Sequence, residues 1–356
     1  MHVDTSHLRN TDEEGRLRRS GRAAVPLILL SLIAALLALR VGVFAPGASS
    51  PVWPWSGTVP AATVDLGVTT PPLARNEWRA WRRSDLQSVE AFEQAIHKHA
   101  SIVMWYADWK HSAPSRAQLL AVAERGSVPE ITWEPWDYTA GLYTPQPEYT
   151  LQSIIDGAHD AYIREWARAL ASYGRPVRLR LAQEMNGNWY PWSETANGNH
   201  AGQFVAAWRH VHDLFTAAGA SNVQWVWSPV ALAGTIVAEQ YPGSRYVDIV
   251  GLSAFNGGAQ LKYDRWESFA AKVEGPLRTI EALAPGKPVE ISEVGSAEQG
   301  GSKAQWITGM FQTLAEHPEI ESVIWYDVST TSDWRIETSR SAERAFAAGA
   351  GSARYR

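Results

Sequence analysis

Two glutamates carry the chemistry that this sequence suggests. Glu184 closes the apolar run 177-VRLRLAQE-184, and Asn186, Gly187, Trp189, Tyr190 and Trp192 follow it. Glu293 sits in 291-ISEVGS-296. Aromatic side chains crowded beside a carboxylate suit a ligand with flat apolar faces and many hydroxyls. Two facing carboxylates between such walls are what glycosidic bond hydrolysis needs: one gives a proton to the leaving oxygen, the other stays ionised. Glu184, beside Trp189 and Trp192, is the expected acid, because an apolar surrounding raises a carboxyl pKa. Glu293 is then the expected nucleophile. A solvated loop carboxylate is the plain alternative for Glu184, and a barrel-mouth salt bridge with Arg180 for Glu293. Glu134, in 133-WEPW-136, is a third carboxylate that can orient a substrate or bind an arginine.

The elements that must position these groups are short. Strand-like runs fall at 63–68, 101–106, 129–134, 177–184, 223–228, 247–253, 288–293 and 322–327, with amphipathic stretches between them. In 156–174, Ile155, Tyr162, Ile163, Trp166, Ala167 and Leu170 share one helical face and Gly174 suits the end. The stretches 201–218, 264–283 and 302–316 read the same way. Strands separated by helices pair in parallel with right-handed crossovers. Eight such units in 63–345 predict an α/β fold, a single (β/α)8 TIM barrel. No G-x-G-x-x-G follows the first strand, which removes a dinucleotide site.

Barrel enzymes work at the C-terminal ends of their strands. The residues there are Tyr106, Asp108 and Trp109; Trp133, Glu134 and Trp136; Gln183, Glu184 and Asn186; Ser228; Ser253, Phe255 and Asn256; Glu293; and Trp325, Tyr326 and Asp327. Glu184 on the fourth strand and Glu293 on the seventh face each other across the mouth. Alternation places Arg178, Arg180, Ala182 and Glu184 on the inner face and Leu179, Leu181 and Gln183 on the outer one. An inward arginine needs a carboxylate partner.

The chain has 356 residues and a net charge of −5, so no basic surface argues for nucleic acid. It has no cysteine, which excludes disulfides, thiolate nucleophiles and cysteine metal sites. Its 18 tryptophans are the outlier. Trp105, Trp109, Trp133, Trp136, Trp189, Trp192, Trp227 and Trp325 fall where strands end, and a cleft or surface role is expected for the group. Residues 1–22 are polar and basic, the run 23–39 is apolar, and with Arg40 snorkelling 23–44 is long enough to span a membrane. The expected layout is a basic cytoplasmic tail (1–22), an uncleaved single-pass anchor in the cell membrane (23–44) and a proline-rich linker (45–62). The barrel (63–345) would face outward, and a short uninformative tail (346–356) would end the chain. A cleaved signal peptide and a secreted domain are the alternative.

The fragments 131-ITWEPWD-137, 178-RLRLAQEMNGNWYPW-192, 222-NVQWVWSP-229, 241-YPGSRYVDIVGLSAFN-256, 287-KPVEISEVGS-296 and 333-DWRI-336 carry a resemblance. In their order and spacing the chain resembles glycoside hydrolase family 26, best known for β-mannanases, over most of 63–340. The resemblance implies a (β/α)8 barrel, retention of anomeric configuration, Glu184 as acid/base and Glu293 as nucleophile. With the strand-end residues, the expected substrate-binding set is Trp105, Trp133, Glu134, Trp136, Arg180, Gln183, Asn186, Trp189, Trp192, Phe255 and Trp325. In that set the resemblance implies that Trp325 floors the cleavage subsite and that Trp189 and Trp192 line the cleft. It implies a polysaccharide partner and no metal or cofactor.

Three positions depart from the family pattern. Gln183 stands where histidine usually precedes the acid/base. Ser253 and Phe255 stand on the sixth strand where the pattern carries Asp and then a Tyr that hydrogen-bonds the nucleophile. The resemblance makes β-1,4-mannan the lead substrate, and because these positions belong to the shell that selects the sugar, a mixed-linkage or other β-glucan is the close runner-up. A carbohydrate-binding barrel without turnover is the reading from another class.

Overall fold

Eight parallel strands close into one barrel in chain order, β1 to β8, with β1 pairing to both β2 and β8. They are β1 Asp65–Thr69, β2 Ile102–Asp108, β3 Val128–Glu134, β4 Val177–Leu181, β5 Val223–Trp227, β6 Ile249–Asn256, β7 Val289–Ser296 and β8 Ile320–Tyr326. The computed structural model describes residues 63–71, 73, 74, 81–236, 238–261 and 264–356. The tail 1–22, the apolar run 23–44 and the linker 45–62 lie outside them. Among the described residues no helix is long and apolar enough to cross a membrane.

The α-helices lie between the strands: α1 Gln87–Ile96, α2 Arg116–Glu124, α3 Leu151–Ile155, α4 Asp160–Tyr173, α5 Gln203–Ala217, α6 Phe269–Leu283, α7 Lys303–Glu316 and α8 Arg340–Ala350. Two of them, α3 and α4, join β3 to β4. Among the described residues none joins β5 to β6, where only a short 3₁₀ turn at Ala238–Gln240 occurs. Serine oxygens start four helices. Ser115, Ser268, Ser302 and Ser339 accept from the backbone N–H three residues on, satisfying donors that the helix leaves open. Gly174 ends α4 in the left-handed conformation, as its position in the sequence predicts.

Strand alternation divides the side chains into two populations. Outward-facing Val103, Trp105, Ile131, Trp133, Leu179, Val323 and Trp325 pack on the helices in one continuous apolar core. Inward-facing Ile102 and Met104 of β2 meet Ile324 of β8 in a separate cluster, with Tyr106 against it. Lower in the barrel Arg178 pairs with Glu290 and bonds Ser322, and Glu130 is fully buried beside them. Burial pushes Glu130 well above the usual carboxyl range, helped by the Glu290 charge. Met104, Met185 and Met310 are wholly enclosed.

Residues 346–356 are not an uninformative tail. They complete α8 and then pair with the start of β1: Val64 N–H donates to Arg354 O at 2.8 Å and Leu66 N–H to Arg356 O at 2.9 Å. Tyr355 is buried against Phe311, and the Arg356 guanidinium reaches Asp65 at 2.6 Å. The segment covers backbone of β1 below its pairing with β2.

Candidate active site

Glu293 lies where the β7 ladder is irregular. Its register with β8 shifts between Ile291 and Val294, and it stands opposite Ser253 of β6. Such irregularities re-aim side chains next to sites. Glu293 is buried, 4% exposed. Its Oε2 accepts from Arg180 Nη1 at 2.6 Å and from Ser253 Oγ at 3.4 Å, and Arg180 Nη2 also donates to Ser253 Oγ at 2.6 Å. Its Oε1 accepts from the Tyr106 hydroxyl. Burial alone pushes the Glu293 carboxyl up to about 8. The adjacent guanidinium and the phenol both act the other way and favour the carboxylate.

Glu184 is held differently. The sequence places it on the end of β4, but β4 stops at Leu181 and the chain turns. Ala182 (φ 46°) and Glu184 (φ 55°) are both in the left-handed region, so alternation fails beyond Leu181. The Glu184 N–H bonds Ser228 O at 2.8 Å, tying the turn to the end of β5. One carboxylate oxygen accepts from Trp189 Nε1 at 3.0 Å. The Trp189 indole lies flat on Gly187, where a Cβ would come within 2.5 Å of the ring. Burial raises the Glu184 pKa, offset in part by Arg180, Ser253 and Trp189. Burial raises both carboxyls, and only Glu293 has a guanidinium in contact to oppose it.

Both carboxyls line one cleft of about 1170 Å³, larger than ordinary small-molecule pockets of roughly 300–1,000 Å³. Of the residues expected in it, Glu134, Trp136, Trp189 and Phe255 line it as well. Tyr106, Tyr190, Tyr326 and Trp334 line it too, and the loop tips add Leu142, Tyr143 and Leu232. The loop tips carry no sequence signal, since their exposure is set by loop shape. Trp334 lies in 333-DWRI-336, a fragment whose aromatic could have marked it.

Several expected ligands of the substrate lie elsewhere. Trp105, Trp133 and Trp325 face outward, away from the cleft. Trp133 packs on Tyr162, Trp166 and Phe215, and Trp325 on Trp306 and Phe346. In each case the next residue, Tyr106, Glu134 or Tyr326, faces the cleft instead. Trp325 therefore does not floor a subsite. Trp192 is buried as the backing of Tyr190, the two rings stacked with centroids 4.2 Å apart. Of the eight strand-end tryptophans only Trp136 and Trp189 reach the cleft, and the others are core.

The polar members of the set mostly support rather than line. Arg180 points inward as alternation requires, but it is fully buried beneath Glu293. Gln183 is buried rather than facing the helices, and its amide donates to Glu134 Oε1 at 2.6 Å. Trp136 Nε1 donates to the other oxygen, Glu134 Oε2, at 3.2 Å. Asn186 clamps the β5 loop, accepting from Val230 N–H at 2.8 Å and donating to Val230 O and Thr235 Oγ1.

The model of the family described as glycosyl hydrolase family 26 matches residues 129–295. Endoglucanase H of Acetivibrio thermocellus is 31% identical over 345 residues, covering 93% of this chain and 34% of that protein. A mannan endo-1,4-beta-mannosidase of Bacillus subtilis is 27% identical over 154 residues, covering 38% of this chain and 42% of that protein. The chain thus spans about a third of the first relative and under half of the second. The catalytic domain of the GH26 endo-beta-1,4-mannanase of Bacillus sp. JAMB-750 superposes with a TM-score of 0.63 at 19% identity, covering 83% of this chain and 87% of that one. That likeness shows the shared barrel.

Proposed function

Because the chain belongs to glycosyl hydrolase family 26, we propose that it hydrolyses a β-linked polysaccharide within the chain, with retention of anomeric configuration. Glu293 is the nucleophile and Glu184 the acid/base. The observation that carries this reading is the unequal company of the two carboxyls in one aromatic cleft. Glu293 is ion-paired to buried Arg180, whereas half-buried Glu184 accepts from the Trp189 indole; burial raises both carboxyls, and the guanidinium in contact with Glu293 opposes that rise.

The steps follow from those states. The Glu293 carboxylate bonds to the anomeric carbon as the bond to the leaving oxygen breaks, and the Glu184 proton goes to that oxygen. The leaving sugar departs. Glu184, now ionised, takes a proton from water, and the water oxygen displaces Glu293 from the anomeric carbon. Both carboxyls return to their starting charge. Trp136, Trp189 and Tyr190 offer flat faces for the sugar rings.

β-1,4-mannan is the lead substrate, supported by the mannosidase relative, and a β-glucan is the runner-up, supported by the endoglucanase relative. The arginines that precede the apolar run 23–39 support a membrane-anchored domain outside the cell. Fractionation of the host with an antibody to the barrel tests that placement. The test of the activity is release of reducing ends from mannan, glucomannan and barley β-glucan, with proton NMR of the first-formed anomer. Turnover with retention that is lost in Glu293→Ala is expected. Release with inversion, or full activity in Glu293→Ala, defeats the mechanism. Binding of oligosaccharide without turnover favours the non-hydrolytic barrel.

A further inference from the structure

We propose that Tyr106 is the positioning residue of the nucleophile, holding the Glu293 carboxylate through Oε1. The inference rests on Glu293 being the nucleophile, as argued above.

The carboxylate is gripped from two sides. Oε2 receives Arg180 at 2.6 Å and Ser253 at 3.4 Å, and both are completely buried. These donors fix one oxygen, yet the terminal torsion of a glutamate is broad, so one fixed oxygen does not fix the plane of the group. The second oxygen is held by Tyr106, which lines the cleft. Donors on both oxygens define the plane, and with it the direction of the attacking lone pair. Tyr106 is a neutral donor, so it favours the charged carboxylate without adding a cation to the cleft.

Its own placement is rigid. Tyr106 sits near the end of β2, its N–H bonds Leu73 O at 3.1 Å, and its ring meets Tyr326 edge-on at 6.4 Å. The inner cluster of Ile102, Met104 and Ile324 packs beneath it. The β6 side chain that looks into the same space, Phe255, has no hydroxyl and packs instead on Tyr326 at 5.4 Å and Trp334 at 5.0 Å. The phenol that serves Glu293 thus comes from β2.

The test is Tyr106→Phe in the whole chain, assayed on β-1,4-mannan and barley β-glucan across pH. Loss of one hydrogen bond to a charged group lowers kcat/KM roughly 10- to 100-fold. The loss falls on kcat more than on KM. Removing a donor to the carboxylate raises its pKa, so the acid limb of the profile moves to higher pH while the alkaline limb, set by Glu184, stays. Adding Phe255→Tyr returns a hydroxyl from β6 and restores part of the rate. An unchanged acid limb and rate in a folded Tyr106→Phe chain overturn the role.

If Tyr106→Phe does not fold, 3-fluorotyrosine at position 106 keeps the ring and strengthens the donor. The acid limb then moves to lower pH, and no movement overturns the role. Glu293→Ala with added azide separates the two readings. Azide rescue beside a wild-type-like Tyr106→Phe removes only the tyrosine's role, whereas a fully active Glu293→Ala removes the nucleophile itself.

Discussion

The floor of the cleft and its rim hold one carboxyl each, and they are built by different means. On the floor, Glu293, Arg180, Ser253 and Tyr106 come from β7, β4, β6 and β2, so the barrel's hydrogen-bond ladder fixes their spacing. At the rim, Glu184 hangs on a left-handed turn beyond β4, and the indole that bonds its carboxyl, Trp189, belongs to the loop that follows. Tyr143 is 70% exposed at φ 61°, held by its N–H on Trp189 O at 2.9 Å, and Leu142 and Leu232 are exposed beside the same cleft. In the proposed mechanism the nucleophilic step, common to all substrates, falls to the ladder, and the step that meets the leaving sugar falls to loops, which can change without disturbing the barrel.

The largest expected effects separate floor from rim at the two carboxyls. Glu293→Ala is expected to lose on the order of 10⁴- to 10⁶-fold in kcat on any substrate. Glu184→Ala is expected to lose about 10²- to 10⁴-fold on polysaccharide and far less on an aryl glycoside whose leaving group needs no proton. Equal losses on both substrates would mean that the roles are not divided as assigned.

Next comes Arg180→Met. Removing one partner of a buried pair costs about 3–5 kcal/mol of stability, read as a lower unfolding midpoint. It also leaves burial as the main influence on Glu293, so the acid limb of kcat/KM shifts upward toward about 8. An unmoved limb would show that the floor does not control that charge.

At the rim the effects shrink. Trp189→Phe removes a donor to the ionised form of Glu184, so its pKa rises and the alkaline limb moves to higher pH. Smallest of all is Tyr143→Gly. The left-handed backbone is relaxed, for a gain of about 1 kcal/mol in stability. KM for polysaccharide rises a few-fold, an effect of about 1 kcal/mol or less, while a small aryl glycoside is unaffected. A large loss of kcat in Tyr143→Gly would blur the distinction between floor and rim.

The order of the eight strands, the helices α4 to α7 and the meeting of Glu184 and Glu293 in one cleft were legible in the sequence. Which side of a strand faces the cleft was less so. Arg180 was assigned inward from the alternation of charged and apolar residues along β4. In β2 and β8 both faces are buried, so Met104, Trp105 and Tyr106, or Ile324, Trp325 and Tyr326, give no alternating signal. A shift of one residue then exchanges cleft for core. The turn at Ala182 was hidden for another reason. Nothing in alanine or glutamate announces positive φ, and the backbone bond from Glu184 to Ser228 that accompanies it joins distant parts of the chain.

The enclosed methionines have a consequence for durability. With no cysteine in the chain, methionine sulfur is its only site for thiol or thioether oxidation, and among the described residues the three methionines, Met104, Met185 and Met310, are all shut away from solvent. Met185 is the immediate neighbour of the proposed acid. A peroxide-rich medium therefore meets a working cleft walled by rings and hydroxyls, while the nearby thioether is reachable only when the barrel opens. Loss of activity in peroxide should follow the rate of unfolding rather than the concentration of oxidant.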